Sequence, residues 1–515
     1  MHREPRYNLV DESWIPVLRK DGTQDFAGLA ELFSRAEEIA DLAVRPHERV
    51  ALMRLFLSLC YAVMDNGSLK RDELATKVTV YLQQWRDSFW LYHPERPFLQ
   101  IAGLKPNKED TITPFSKLDF ALSSGNNAML FDHVGERARP DTKALAMALL
   151  SYQCFSPGGL ISQVRWRGVE TSKSSTDAPC IASSMLHVFI RGKDLADTLW
   201  LNIVPLRDLK RIYGYLGEGW FGRPYWEKLP EHREHKEAVD NATKTFLGRL
   251  VPLSRAVLLR ENGMLHGEAL SYPGVQAGFP AEPTATVVLN KKEKKETFNL
   301  LAIRPDKAVW RELPALLAAS RQSFGNTNTR GPLALWILND SDEGDWEYEI
   351  VAVGVARDQA NILDAIESIY PLRRRLLTDE GQRDYKAGVQ EAENMSSRLA
   401  YAVSTFREQL DGSWLEGLSR AGKDKQTLLE KLHRQAMLIY WGAVEQKLSL
   451  LFDMASSTEQ KEFLHLNSEW KKFIWSEALK AYDLVCGELS GRHEQAYIRG
   501  RSKLMNRKDK KEGTA

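Results

Sequence analysis

Met395-Ser396-Ser397-Arg398-Leu399-Ala400-Tyr401-Ala402-Val403-Ser404-Thr405-Phe406-Arg407-Glu408-Gln409-Leu410 sets Met395, Leu399, Ala402, Phe406 and Leu410 at three- and four-residue spacing. That period collects the five side chains on one helix face and leaves polar residues opposite. The spacing recurs in Leu432, Ala436, Ile439 and Ala443, and again in Leu466, Trp470, Ile474, Ala478, Ala481 and Val485. A fourth, shorter helix is expected at the end of this region, carrying Arg492, Arg499, Arg501 and Lys503. One-sided apolar stripes of this kind predict an antiparallel four-helix bundle over 373–505, opening at Arg373-Arg374-Arg375. The charged, apolar-poor end, 506–515, is expected to be disordered.

Upstream of the bundle, residues 1–372 read as one large mixed α and β domain, which makes the fold class α+β. A chain of 515 residues is too long for a single ordinary core. His47 to Cys60 is apolar on most faces, as in a buried helix over 47–66. Arg255–Leu259, Thr286–Leu289 and Phe298–Ile303 read as strands, and the charged run Lys291–Lys295 as a hairpin tip.

Apolar residues make up 43% and charged residues 27%, so most of the chain should fold. The formal net charge of +1 implies no partner by itself, so any nucleic-acid surface must come from local patches. Cys60, Cys154, Cys180 and Cys486 form no CxxC pair and have no histidine at ligand spacing, and are expected to be reduced thiols. No apolar leader follows Met1, and no segment holds ~18 uninterrupted apolar residues. A cytoplasmic protein is the expectation.

The motifs of common chemistries are missing. There is no Gly-x-x-x-x-Gly-Lys-Ser/Thr, no HExxH or HxxEH, and no Gly-x-Ser-x-Gly. Glu231-His232-Arg233-Glu234-His235, between Pro230 and Lys236, reads as a solvated charged segment and not a metal site. No carboxylate pair stands out. The expectation is a binding protein with no cofactor and no metal. Three segments rich in Gly, Asn, Gln and Arg remain. They are Ser123–His133, Phe155–Leu160 followed by Arg165-Trp166-Arg167-Gly168, and Gly354–Asn361 after the strand-like Tyr348–Val353. Adjacent glycines let a backbone approach a partner closely, and arginines with aromatics suit phosphates and bases.

The order and wording of several segments resemble the large-subunit family, CasA, of the type I-E CRISPR Cascade complex. Tyr7–Val17 resembles its opening strand, and His93-Pro94-Glu95-Arg96-Pro97-Phe98-Leu99-Gln100 its His-x-x-x-Pro-Phe-x-Gln segment. Phe189–Leu195 with Leu201-Asn202, the Gly354–Ile362 block and the C-terminal bundle complete the likeness, which spans nearly the whole chain. The resemblance implies a non-catalytic subunit beside other Cascade subunits and a guide RNA. It would recognise the protospacer-adjacent motif (PAM) in double-stranded target DNA, begin strand separation and R-loop formation, and help recruit a helicase-nuclease.

Residue by residue, the resemblance implies that Pro157-Gly158-Gly159 lies against the PAM minor groove. Gln359 falls at the family's glutamine wedge, with Arg357 and Asp358 beside it, Asp358 standing where relatives have Asn. Asn126, Asn127, Phe131 and His133 lie in the loop that meets the 5′ end of the guide RNA and neighbouring subunits. Arg492, Arg499, Arg501 and Lys503 are candidates for the displaced strand. The family's lysine finger has no aligned lysine near Glu268–Tyr272, where Arg260 is a possible stand-in, and the zinc-binding cysteine cluster of some relatives is missing. The alternatives are the large subunit of another multi-subunit CRISPR or RNA-processing complex, or a nuclease with an unrecognised site.

Overall fold

A computed structural model describes residues 4–64, 69–108, 112–119, 140–156, 159–175, 178–181, 184–273, 282–292, 295–317, 329–339, 346–358, 361–410, 422–487 and 493–505. The chain divides into two compact units between Leu372 and Arg373. Mixed helix and sheet make up the first, and helices the second.

The first unit is organised around helix α1, Pro46–Ala62, in which every residue from His47 to Tyr61 is buried. Pro46 starts it, where the missing N–H costs nothing, and Glu48 accepts from the Arg45 backbone N–H at 2.9 Å. A helix buried all round needs partners on every face. One is helix α2, Thr142–Phe155, begun by Asp141, whose carboxylate accepts from the Ala144 N–H at 2.7 Å. Two short strands follow, β1 (Gly159–Leu160) and β2 (Ser174–Ser175), paired antiparallel with Leu160 opposite Ser174. Strand β3 is His187–Arg191, and β4 (Arg255–Arg260) forms a hairpin with β5 (Gly263–Glu268). The sheet that backs α1 has the order β3, β6 (Glu347–Asp358), β7 (Asn361–Arg373).

Buried guanidiniums pin these pieces together. Arg54 of α1, 2% exposed, pairs with Glu282 and donates to the carbonyls of Arg249 and Leu250. Arg49 reaches Asp41 and Glu367, each at 2.6 Å, joining α1 to β7. The charged run read as a hairpin tip is mostly strand: Val287–Lys292 and Lys295–Leu300 pair through Lys292 and Lys295, leaving only 293–294 between them, outside the described residues. The hairpin expected from that run is thus found, closing within Lys291–Lys295.

In the second unit, α3 (Asp379–Leu410), α4 (Gly422–Glu445), α5 (Leu448–Ser456), α6 (Gln460–Cys486) and α7 (Glu494–Met505) pack together. His433 bonds to the Ala400 carbonyl and Tyr440 to the Ala392 carbonyl, each at 2.9 Å, so α4 runs antiparallel to α3. Tyr385 packs on Phe452, which continues the same descent through α5. Trp470 bonds to the Gly388 carbonyl and Tyr482 packs edge-on to Phe406, so α6 runs parallel to α3. α7 descends again, its Leu504 carbonyl accepting from Arg398 of α3 and Trp475 of α6. The described helices thus form four up-and-down elements, the second bent into α4 and α5. Met395, Leu399, Ala402 and Phe406 of the α3 stripe and Trp470, Ile474, Ala478 and Ala481 of the α6 stripe are buried as expected, whereas Leu466 and Val485 are half-buried. In α4 the buried set is Ala436, Tyr440 and Val444, and Ile439 is 36% exposed. The expected tail, 506–515, lies outside the described residues.

Two expectations follow. Gly500 sits where α7 meets α3, and a Cβ there would come 2.8 Å from the Ala402 carbonyl oxygen as well as onto the Tyr482 hydroxyl. Gly500→Val should therefore loosen the bundle by about 2 kcal/mol or more, read as a lower midpoint in denaturant melts. In the first unit, burial holds His47 and His187 near a pKa of about 4 and His266 near about 3. Below their ordinary value the unfolded chain binds protons that the folded chain refuses. Stability should be full above pH ~6.5 and fall as pH drops toward ~4, a loss that His187→Asn should lessen in urea titrations.

Candidate nucleic-acid interface

Two of the three segments singled out in the sequence meet in space. The segment Gly354–Asp358 is not a loop but the end of β6, and Asn361 opens β7, so only 359–360 connect them. Gly354 is required in the strand because a Cβ would stand 2.7 Å from the Met185 carbonyl oxygen. Three residues on, the Arg357 backbone N–H bonds to Ser184 Oγ at 2.8 Å. The Arg357 guanidinium turns inward, donates to the Phe155 carbonyl and lies 5.9 Å from the Phe155 ring centroid. Burial pulls its pKa below the usual arginine value.

Phe155 is the last residue of α2, and the segment 156–159 leaves from it. The next carbonyl, that of Ser156, accepts from the Cys180 thiol at 2.7 Å and from Arg255 at 3.5 Å. Beyond 157–158, β1 is held by β2, and the Ile161 N–H bonds to the Lys173 carbonyl at 2.9 Å. The described residues on either side of 157–158 are therefore fixed, and the end of β6 is tied to the first side by Arg357. The stretch 159–175 is net cationic: Arg165, Arg167 and Lys173 are exposed against one exposed carboxylate, Glu170, which stands opposite Arg165. Arg167 has φ 50° and is followed by Gly168 at φ 84°, the paired left-handed residues of a tight hairpin turn.

Of the residues singled out for DNA, Gly159, Arg357 and Asp358 fall on described backbone, and Pro157, Gly158 and Gln359 lie outside the described residues. Asn126, Asn127, Phe131 and His133 also lie outside them, as does Arg492. Along α7, Arg501 makes a bidentate ion pair with Asp483 at 2.8 and 3.0 Å, and that pairing raises its pKa. Arg499 donates to Gln409 and remains exposed, and Lys503 lies 5.5 Å from the Tyr401 ring centroid. Arg260 is at the turn end of the β4–β5 hairpin, donating to the Leu104 carbonyl at 3.1 Å, whereas Glu268 closes the opposite end. Glu268 is buried, pairs with Arg233 and accepts from the Ser172 N–H at 3.3 Å, one residue before Lys173. Sequence reasoning missed Lys173 and the clamp on Phe155. The only visible signal was a buried-type aromatic directly before Ser-Pro-Gly-Gly.

The segments that carried the family likeness prove to be backbone pins. Gln100 donates to the Leu91 carbonyl at 2.7 Å and accepts from the Leu259 N–H at 2.9 Å. Asn202 pairs with both backbone groups of Ile190, at 3.0 and 2.7 Å. Among the described residues no group of three or more His, Cys, Asp or Glu is placed to hold a metal, and no helix is long and apolar enough to cross a membrane.

Comparisons with known proteins agree with this architecture. The chain is 29% identical to the CRISPR-associated protein CasA/Cse1 of Thermus thermophilus, over 96% of both chains. The crystal structure of Thermus thermophilus CasA superposes with a TM-score of 0.74 at 24% identity, covering 97% of this chain and 98% of that one. Thermobifida fusca Cse1 superposes equally well, TM-score 0.74 at 17% identity, over 97% and 98% of the two chains. A chain of a CRISPR RNA-guided surveillance complex follows at 0.67 and 18% identity, over 98% and 100%. At these identities the structural likeness speaks for the fold. The sequence model described as CRISPR-associated protein Cse1 matches residues 8–481, and the chain belongs to that family.

Proposed function

We propose that this chain is the non-catalytic large subunit of a CRISPR RNA-guided surveillance complex and reads the PAM of duplex DNA through the minor groove. The observation that supports the reading is the Arg357 clamp on the Phe155 carbonyl, which joins the end of β6, just before Gln359, to the end of α2, just before Ser156-Pro157-Gly158-Gly159. Gly158 and Gly159 bring backbone to the groove floor, where a Cβ would intrude. The minor groove offers a degenerate code, so several related PAM sequences are accepted. Gln359 enters the stack beside the PAM, its flat amide replacing lost base contacts with both donors and acceptors. Opening the first steps costs about 1–2 kcal/mol each before guide pairing returns it, and PAM contacts offset that cost.

The loop with Asn126, Asn127, Phe131 and His133 meets the 5′ end of the guide RNA and the neighbouring subunits. The bundle serves the displaced strand and the helicase-nuclease through its outer charged faces. The strand contact falls to Arg499 and Lys503 of α7 and to Arg492, which precedes it in sequence, because Arg501 is held by Asp483. Catalysis belongs to the recruited partner, so the purified chain with divalent metal should leave DNA intact.

Binding and opening should separate by mutation. Gly159→Leu should weaken PAM-duplex binding by about tenfold while the subunit still joins the complex. Gln359→Ala should slow R-loop formation on a fully paired target and be rescued by a bubble beside the PAM. Equal impairment on both substrates would make Gln359 a binding residue and not a wedge. Arg357→Ala should impair both steps and lower subunit stability by about 2 kcal/mol, since it strands a buried carbonyl.

A further inference from the structure

Leu160 is 93% exposed, the most exposed large hydrophobic side chain among the described residues. It directly follows Gly159 and sits in a paired strand, so its backbone is fixed while its side chain stands in solvent. Cross-strand pairing puts Leu160 on one face of the β1–β2 ribbon with Ser174, and Lys173, opposite Ile161, on the other. Ser174 gives Leu160 no apolar cover. The surrounding charge indicates what covers it. Within 159–175, Arg165, Arg167 and Lys173 are exposed against a single exposed carboxylate, Glu170, so the stretch is net cationic. A polyanion is therefore favoured over an acid-seeking protein surface.

Resting on the PAM reading above, we propose that Leu160 is an apolar minor-groove contact. Its side chain packs against the deoxyribose edges at the base step next to the one met by Gly159. Apolar wedges of this size are a general means of holding a widened minor groove. Such a contact contributes affinity without releasing counterions, whereas Lys173, reaching phosphate from the other face of the ribbon, contributes a salt-dependent part.

The test uses the assembled complex and a PAM-bearing duplex, with equilibrium binding measured over a range of salt concentrations. Leu160→Ser should bind about tenfold more weakly at every salt concentration, on a line parallel to the parent's. Leu160→Met should bind like the parent. Lys173→Ala should instead flatten the salt slope by about 0.9. With 93% of Leu160 already in water, the melting temperature of the Leu160→Ser chain should not change. Parental binding by Leu160→Ser alongside a defective Gly159→Leu complex would overturn the Leu160 contact and leave the PAM reading standing. Parental binding by both would remove the reading itself. Loss of the Leu160→Ser subunit from the complex in gel filtration would assign Leu160 to a protein interface and overturn the proposal.

Discussion

The first unit is organised around one helix buried from His47 to Tyr61, and a buried guanidinium holds that helix in place. Arg54 satisfies its donors on two successive carbonyls, Arg249 and Leu250, and on the Glu282 carboxylate. Taking such a charge from water is expensive, and removing one partner of a buried pair costs about 3–5 kcal/mol. The helix is therefore fixed in rotation and in height. α2 and β6 both pack on it, and they end at Phe155 and Asp358, just before the two segments of the candidate interface. The ends of α2 and β6 are thus held by the core, with Arg357 as the last tie between them.

Much of this was legible in the residues. Period alone gave α1, α3 and α6, because long one-sided or all-round apolar runs are hard to satisfy in another way. It misplaced the inner face of α4 by taking Ile439 over Tyr440. Tyr440 is buried because its hydroxyl finds the Ala392 carbonyl, a partner that no local pattern reveals. Gly354–Asp358 read as a loop because Gly and Asp are turn formers, yet Gly354 is there to let two backbones meet. Arg357 was expected to face DNA, a natural reading of an arginine beside a turn. Its inward course depends on a carbonyl about 200 residues away in sequence, which is beyond any local rule. Family likeness carried the remainder. The residues that carried it, Gln100 and Asn202 among them, turn out to preserve backbone geometry.

In the bundle, close packing and polarity share the same helix. α7 was conspicuous for its cations, but its docking is decided by Gly500 and by the Leu504 carbonyl, capped from α3 and α6. One of the cations, Arg501, is part of that docking through Asp483, with the Tyr497 hydroxyl on the same carboxylate at 2.6 Å. A run of basic residues on a terminal helix therefore divides into structural and available members, and the division follows from where the neighbouring carboxylates lie.

All four cysteines are buried, and burial pushes the thiols of Cys60, Cys154 and Cys486 up, the last two to about 12. Thiolate is the form that reacts with alkylating reagents, so the native chain is chemically quiet toward maleimides at neutral pH. A single cysteine placed on an exposed position of the ribbon or of α7 would be the sole labelling site without any prior removal of native thiols. The protein comes ready for fluorescence or spin-label spectroscopy, in which the motion of one turn is followed against an unmodified background.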